Sequence, residues 1–227
     1  MSVFSEKTFQ YLEELELNNN RDWFIENKKR LEQEVRGPFA SLLETMSNLL
    51  SETGLSLHGG PQTMFRMNRD VRFSNDKSPY KTFVSGLLTK TGTKDISTGL
   101  VYIHLDSRGG FVVSGLYQPP TERLYELRTS MIEKHSEFAA TLSSLRRAGL
   151  KLDPTDATKN MPRGFSEYSD HEHSESLKLK NIMVRRDLNP SEWWKAGFET
   201  ELTDFAVASK PILDFLDSPH FQLLHRT

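Results

Sequence analysis

The 227-residue sequence contains no cysteine. A disulfide framework, a thiolate nucleophile, an iron–sulfur cluster and cysteine-ligated zinc are therefore excluded. Long apolar runs are missing too. Nothing approaches the roughly 20 residues needed to cross a bilayer, and the N-terminus, with Glu6 and Lys7 beside Phe4 and Phe9, lacks a signal-peptide core. These absences predict a cytoplasmic protein with no membrane partner. Nor is there an excess of positive charge. Lys and Arg number 29 against 31 Asp and Glu, a net of -2, which disfavours coating nucleic acid or anionic membrane by bulk electrostatics. The 13 glycines are scattered. They form no phosphate loop, dinucleotide fingerprint or Gly-x-Ser-x-Gly nucleophile elbow, so no cofactor is expected.

What is present is material for a packed core. Fourteen Phe and 3 Trp within a chain that is 26% charged describe a globular protein, and 227 residues fit one domain. Residues 1–54 read as helical. Phe9, Leu12 and Leu15 recur at helical spacing up to Leu17 and the turn-forming Asn18-Asn19-Asn20. A second stripe of Phe24, Leu31 and Val35 runs from Arg21 to Gly37-Pro38, which is expected to end that helix. Pro38 opens a third, carrying Phe39, Leu42, Leu43, Met46, Leu49 and Leu50 up to Gly54.

The period then falls from 3.6 to 2. Phe65, Met67, Val71 and Phe73 alternate with Arg66, Asn68, Asp70 and Arg72, the pattern of a strand with one charged face. Further strands are expected at residues 82–88, 100–106 and 111–117, the last two joined through Ser107-Arg108-Gly109-Gly110, so that 62–117 is the strand-rich part. Helical spacing returns over 120–150. A polar loop and one more strand occupy 151–190, and Ser191 with Glu192 is expected to cap a last helix holding Trp193, Trp194, Phe198, Leu202 and Phe205 within 191–227. Helices flanking a run of strands indicate an α+β fold around a mainly antiparallel meander.

The chemistry concentrates in one stretch. Alternation puts Arg66, Asn68, Asp70 and Arg72 on one face, with neighbours roughly 7 Å apart. Guanidinium forks match the oxygens of phosphate or carboxylate, and Asp70 between them is placed either to hold one fork or to bind a metal. Arg69 falls on the apolar face, where it needs either a buried carboxylate or an irregular strand that turns it toward the other arginines. The turn from Ser74 to Pro79 is rich in groups that bond neighbouring backbone, and it presents Lys77, Tyr80 and Lys81. Five basic residues against two acidic ones make this stretch +3 in a chain at -2, a local anion site or an internal salt-bridge network.

Other candidates lie outside it. His104 alternates in step with Tyr102 and Asp106, a proton carrier between a phenol and a carboxylate and the candidate general acid or base. Asn27 and Lys28 interrupt an apolar stripe, so one of them turns inward near Trp23 or Phe24. His171-Glu172-His173 with Glu175 lacks the helical spacing that orients two ligands on one metal, and no metal site is expected there.

Asn19-Asn20-Arg21-Asp22-Trp23-Phe24 with Asn27-Lys28, the stretch from Arg66 to Lys81, Gly115-Leu116-Tyr117, and Pro162-Arg163-Gly164-Phe165 with His171 together resemble the uncharacterised family called domain of unknown function 2461, found in bacteria and fungi. The resemblance implies an intracellular single-domain protein of unknown activity. It adds Asn27, Lys28, Arg163 and His171 to Arg66, Arg69, Asp70, Arg72, Lys77, Tyr80 and Lys81 as candidates for one pocket. Three functions follow from the residues: an enzyme or binding protein for a phosphorylated small molecule or nucleotide, a nucleic-acid surface in which Tyr80 or Phe83 stacks on a base, and a non-catalytic scaffold.

Overall fold

Helix α1 (Glu6–Leu17) begins where the Ser5 amide donates to the Thr8 hydroxyl, and it buries Phe9, Tyr11, Leu12 and Leu15. The computed structural model describes residues 4–218. The Asn18-Asn19-Asn20 turn follows as expected, and the Asn20 side chain accepts the Trp23 amide at 3.1 Å to start α2 (Arg21–Glu26).

Beyond Asn27 the structure departs from the expected helix stop. The single turn α3 (Lys28–Arg30), a π-helical stretch (Leu31–Arg36) and α4 (Gly37–Glu52) follow without a break. Gly37 has ordinary right-handed helical angles, and its N–H reaches back five residues to the Glu32 carbonyl. A Cβ at Gly37 would stand 2.6 Å from that oxygen, which explains the glycine. Pro38 has no N–H to give the Glu34 carbonyl, and in an α-helix its ring would collide there. The widened π turn relieves the clash. The Thr8 hydroxyl then supplies the missing donor, reaching Glu34 O at 2.7 Å. Thr8→Val is accordingly expected to destabilise the protein by about 1–3 kcal/mol, because it strands a buried carbonyl. Thr8→Ser keeps the donor and should stay near wild type in urea unfolding; equal losses would assign the effect to the lost methyl.

Strands β1 (Val84–Leu88), β2 (Leu100–Leu105), β3 (Phe111–Leu116) and β4 (Ile182–Asp187) form one antiparallel meander in that order. The register of the first pair sets Ser85 opposite His104 and Leu87 opposite Tyr102. Helix α4 packs on β1 where Gly86 has no side chain; a Cβ there would lie 2.6 Å from Leu43. The hairpin glycines behave as expected, Gly109 and Gly110 having φ of 111° and 100°. Between β3 and β4 come α5 (Thr121–Glu133), α6 (His135–Arg147) and the short α7 (Ser174–Leu177), and after β4 come α8 (Phe198–Ala208) and α9 (Lys210–Leu216).

Two expected elements change. Residues 64–73 make only isolated bridges, Met64 with Gly86 and Asn68 with Tyr80, rather than a regular strand. The last helix does not start at Ser191. Pro190–Glu192 is a 3-10 turn in which Glu192 accepts the Asn189 amide at 2.7 Å, and α8 starts only after Gly197, at φ +84°. Trp193 and Trp194 thus lie outside any helix. Trp193 is buried and Trp194 partly exposed.

The chain divides into two compact units. The first gathers residues within 1–94, 101–112 and 186–205, the second those within 95–100, 113–185 and 206–227. Leu12, Val35, Phe39, Leu42 and Trp193 anchor the first core, and Met131, Phe138, Leu177 and Phe215 the second.

Candidate functional site

In the first unit, the segment from Arg66 to Lys81 folds back on itself. The Lys81 amide donates to Met67 O at 2.7 Å and the Arg69 amide to Pro79 O at 2.9 Å. The bend comes at residues 71–74, where the Ser74 amide bonds Val71 O. Burial still alternates up to Val71. It fails at Phe73, which is 96% exposed rather than inward.

Three of the five basic residues are spent inside this loop. Arg69 pairs with Asp76 and donates to Ser78 O at 3.1 Å. Its partner is therefore an exposed carboxylate of the same irregular loop, not a buried one. Arg72 clasps Asp70 with two bonds, at 2.9 and 2.6 Å. Lys77 donates to Val71 O at 3.0 Å.

Asp76 also accepts the Ser78 hydroxyl and amide. Those bonds, with Arg69 adding to them, hold its carboxyl down to about 2. Because the folded value is depressed, the turn gains from Asp76 above the ordinary carboxylate range and loses that gain as pH falls toward about 2. An NMR titration should place the Asp76 endpoint at about 2. An ordinary endpoint would rule out the paired geometry.

Arg66 and Lys81 remain, and Lys94 joins them. The Lys81 ammonium lies 5.4 Å from the Phe65 ring centroid and 5.5 Å from that of Phe83, and Lys94 stands 5.9 Å from Phe65. No carboxylate, carbonyl or hydroxyl among the described residues accepts from Lys81 Nζ. Burial, then Arg66 and Lys94, push its pKa below the ordinary lysine value.

Lys81 opens on a cleft of about 520 Å³, lined also by Glu16, Asn19, Arg69, Asp76 and Phe83. Asn19 sets the position of the Lys81 backbone, because its side-chain amide donates to Tyr80 O at 2.9 Å and accepts the Tyr80 amide at 3.1 Å. The Tyr80 ring is core, stacked on Phe24 at 3.6 Å. The Glu16 carboxylate accepts the Ser107 hydroxyl at 2.7 Å.

His104 sits behind the cleft wall. Its ring is stacked on Phe83 at 4.2 Å and on Phe111 at 4.7 Å. Nδ1 is 3.0 Å from the Tyr102 hydroxyl and Nε2 is 3.5 Å from Asp106, so both nitrogens are engaged. Asn27 bonds Trp23 O and Arg30, and Arg30 reaches Glu14 at 2.6 Å. Asn27 therefore ties helical elements together, while Lys28 is exposed, and neither lines the cleft. Arg163 and His171 belong to the second unit. Arg163 is exposed, and His171 accepts the His173 amide at 3.1 Å. Among the described residues no group of three metal-ligating side chains forms.

Sequence reasoning missed Glu16 and Lys94 altogether. Lys94 follows a Thr-Gly-Thr turn and carries no local signal of its destination.

A family model described as "Conserved hypothetical protein (DUF2461)" matches residues 7–215. No curated protein and no solved structure matches the chain.

Proposed function

The chain belongs to the DUF2461 family of conserved hypothetical proteins, and we propose that its first unit binds a small molecule carrying a phosphate or similar compact anion, a nucleotide or sugar phosphate being the type. One observation carries this reading. Lys81 lies against Phe65 and Phe83, Lys94 against Phe65, Arg66 adds its charge to theirs, and the Lys81 ammonium has no acceptor among the described residues although it opens on a cleft. An anion would supply that acceptor where burial makes a charged hydrogen bond stronger than in water. Arg69, Arg72 and Lys77 serve differently, since their internal pairs stiffen the loop that ends at Lys81.

The test is a thermal-shift and titration series with inorganic phosphate, nucleoside monophosphates and sugar phosphates. At least one should stabilise the wild type selectively. Lys81→Met should weaken it about tenfold to a hundredfold, the value of one charge-assisted hydrogen bond. Arg72→Ala, whose partner is Asp70, should bind nearly as the wild type. No selective ligand, or equal losses in both variants, would defeat the reading.

Phe73, exposed and 5.8 Å from the Arg72 guanidinium, supports a second reading in which the loop tip stacks on a base of single-stranded nucleic acid. Micromolar RNA binding that collapses with salt and with Phe73→Ala would favour it.

A further inference from the structure

An ammonium group has three donors and no acceptor, so a half-buried one with no bonding partner is poorly served by its charge. Lys81 is in that position. Aromatic rings flank its Nζ at 5.4 and 5.5 Å, no side-chain or backbone oxygen among the described residues accepts from it, and two further cations stand close by. The rings favour the charged form. Burial and the repulsion from Arg66 and Lys94 oppose it, and its pKa falls below the ordinary lysine value. A desolvated lysine beside other cations is the arrangement that turns an amine into a nucleophile for carbonyl carbon.

We propose that Lys81 is a reactive amine that condenses reversibly with an aldehyde or 2-oxo acid, whose anionic group lodges against Arg66 and Lys94. The proposal rests on the anion site described above. In the condensation the Nζ lone pair forms a bond to the carbonyl carbon, the carbonyl π pair moves to oxygen, and that oxygen takes a proton. The carbinolamine then expels water as the C=N bond forms. With one proton passed from nitrogen to oxygen and one taken up from solvent, the free amine and the carbonyl give a protonated imine and one water, with no oxidant or reductant consumed. The imine places a cation between Phe65 and Phe83, which receive it as they receive the ammonium. The same rings restrict the water that would hydrolyse it. Glu16, on the wall of the same cleft, offers a carboxylate to carry the protons.

The experiment uses the full chain with pyruvate as the anionic probe and acetone as its neutral counterpart, each with cyanoborohydride to trap imine as a stable secondary amine. Adducts are located by peptide mapping. Pyruvate should label Lys81 about tenfold faster than exposed lysines such as Lys28 and Lys29, since its lowered pKa favours the free amine and the neighbouring cations hold the carboxylate beside it. Acetone should label it more slowly, and inorganic phosphate should suppress the pyruvate reaction. Lys81→Arg should lose the label. Labels spread over the exposed lysines at equal rates, in a protein that phosphate still stabilises, would overturn the reactive amine and leave the anion site standing. Selective labelling of Lys81 by acetone and pyruvate alike, unaffected by phosphate, would overturn the anion site and the anionic substrate with it.

Discussion

Trp193→Ala should cost about 3–5 kcal/mol, the range for emptying a buried aromatic site. Trp193 is fully buried among Phe4, Phe39 and Phe198, with ring centroids at 5.0, 6.5 and 4.9 Å. These rings come from the N-terminus, from α4 and from α8, so a void there loosens three parts of the first unit together. Total stabilities of about 5–15 kcal/mol leave little margin for such a loss. Trp194, the next residue, is 36% exposed and makes an edge contact with Phe9 at 5.4 Å. Trp194→Ala should cost well under half as much. Urea unfolding of the two variants, with the slope checked against wild type, measures the difference. Equal losses would show that burial does not rank these neighbours.

The contrast explains what the sequence could and could not disclose about the fold. Periodicity located α1, the broad face of α4 and the strands of the meander, because each is a local pattern repeated several times. Gly37-Pro38 misled because both residues are locally helix-breaking. Continuity there depends on Thr8, 26 positions before Glu34, whose hydroxyl takes over the Glu34 carbonyl that Pro38 cannot serve. No window of neighbouring residues contains that information. Ser191 misled for the opposite reason: it is a good cap residue placed two positions after the Asn189 that makes the turn with Glu192.

The site divides along the same line. Asp70 holding an arginine fork was legible because Arg72 lies two residues on, whereas the partner of Arg69 was sought in a buried carboxylate and is the exposed Asp76. His104 between Tyr102 and Asp106 was likewise readable from alternation, but the Phe83 and Phe111 rings that close over it come from other parts of the sheet region. The remaining cations are a tertiary product. Lys81 and Lys94 meet at Phe65, a residue that alternation read only as an inward strand position. The basic segment therefore has two parts with different work: a self-paired loop, and a positive pole in which its two end residues, Arg66 and Lys81, are joined by Lys94 from outside.

Asn19→Leu is the second substitution with a large expected effect, about 2–4 kcal/mol, and it tests how that pole is held. The Asn19 amide imitates a strand neighbour, serving both the N–H and the C=O of Tyr80. Leu fills similar space and serves neither, leaving two partly buried backbone groups at about 1–3 kcal/mol each, partly recovered through water. Asn19→Asp keeps the acceptor for the Tyr80 amide and loses only the donor, so it should fall between Leu and wild type. Tyr80 is stacked on Phe24 and precedes Lys81, so the damage should pass directly to the cleft. Hydrogen exchange at the Tyr80 amide should speed up in Asn19→Leu, and anion affinity should fall although no cation has been removed. Lost stability with unchanged affinity would mean that Asn19 holds the fold without positioning Lys81. Lost affinity with slow exchange would mean that it contacts the ligand itself.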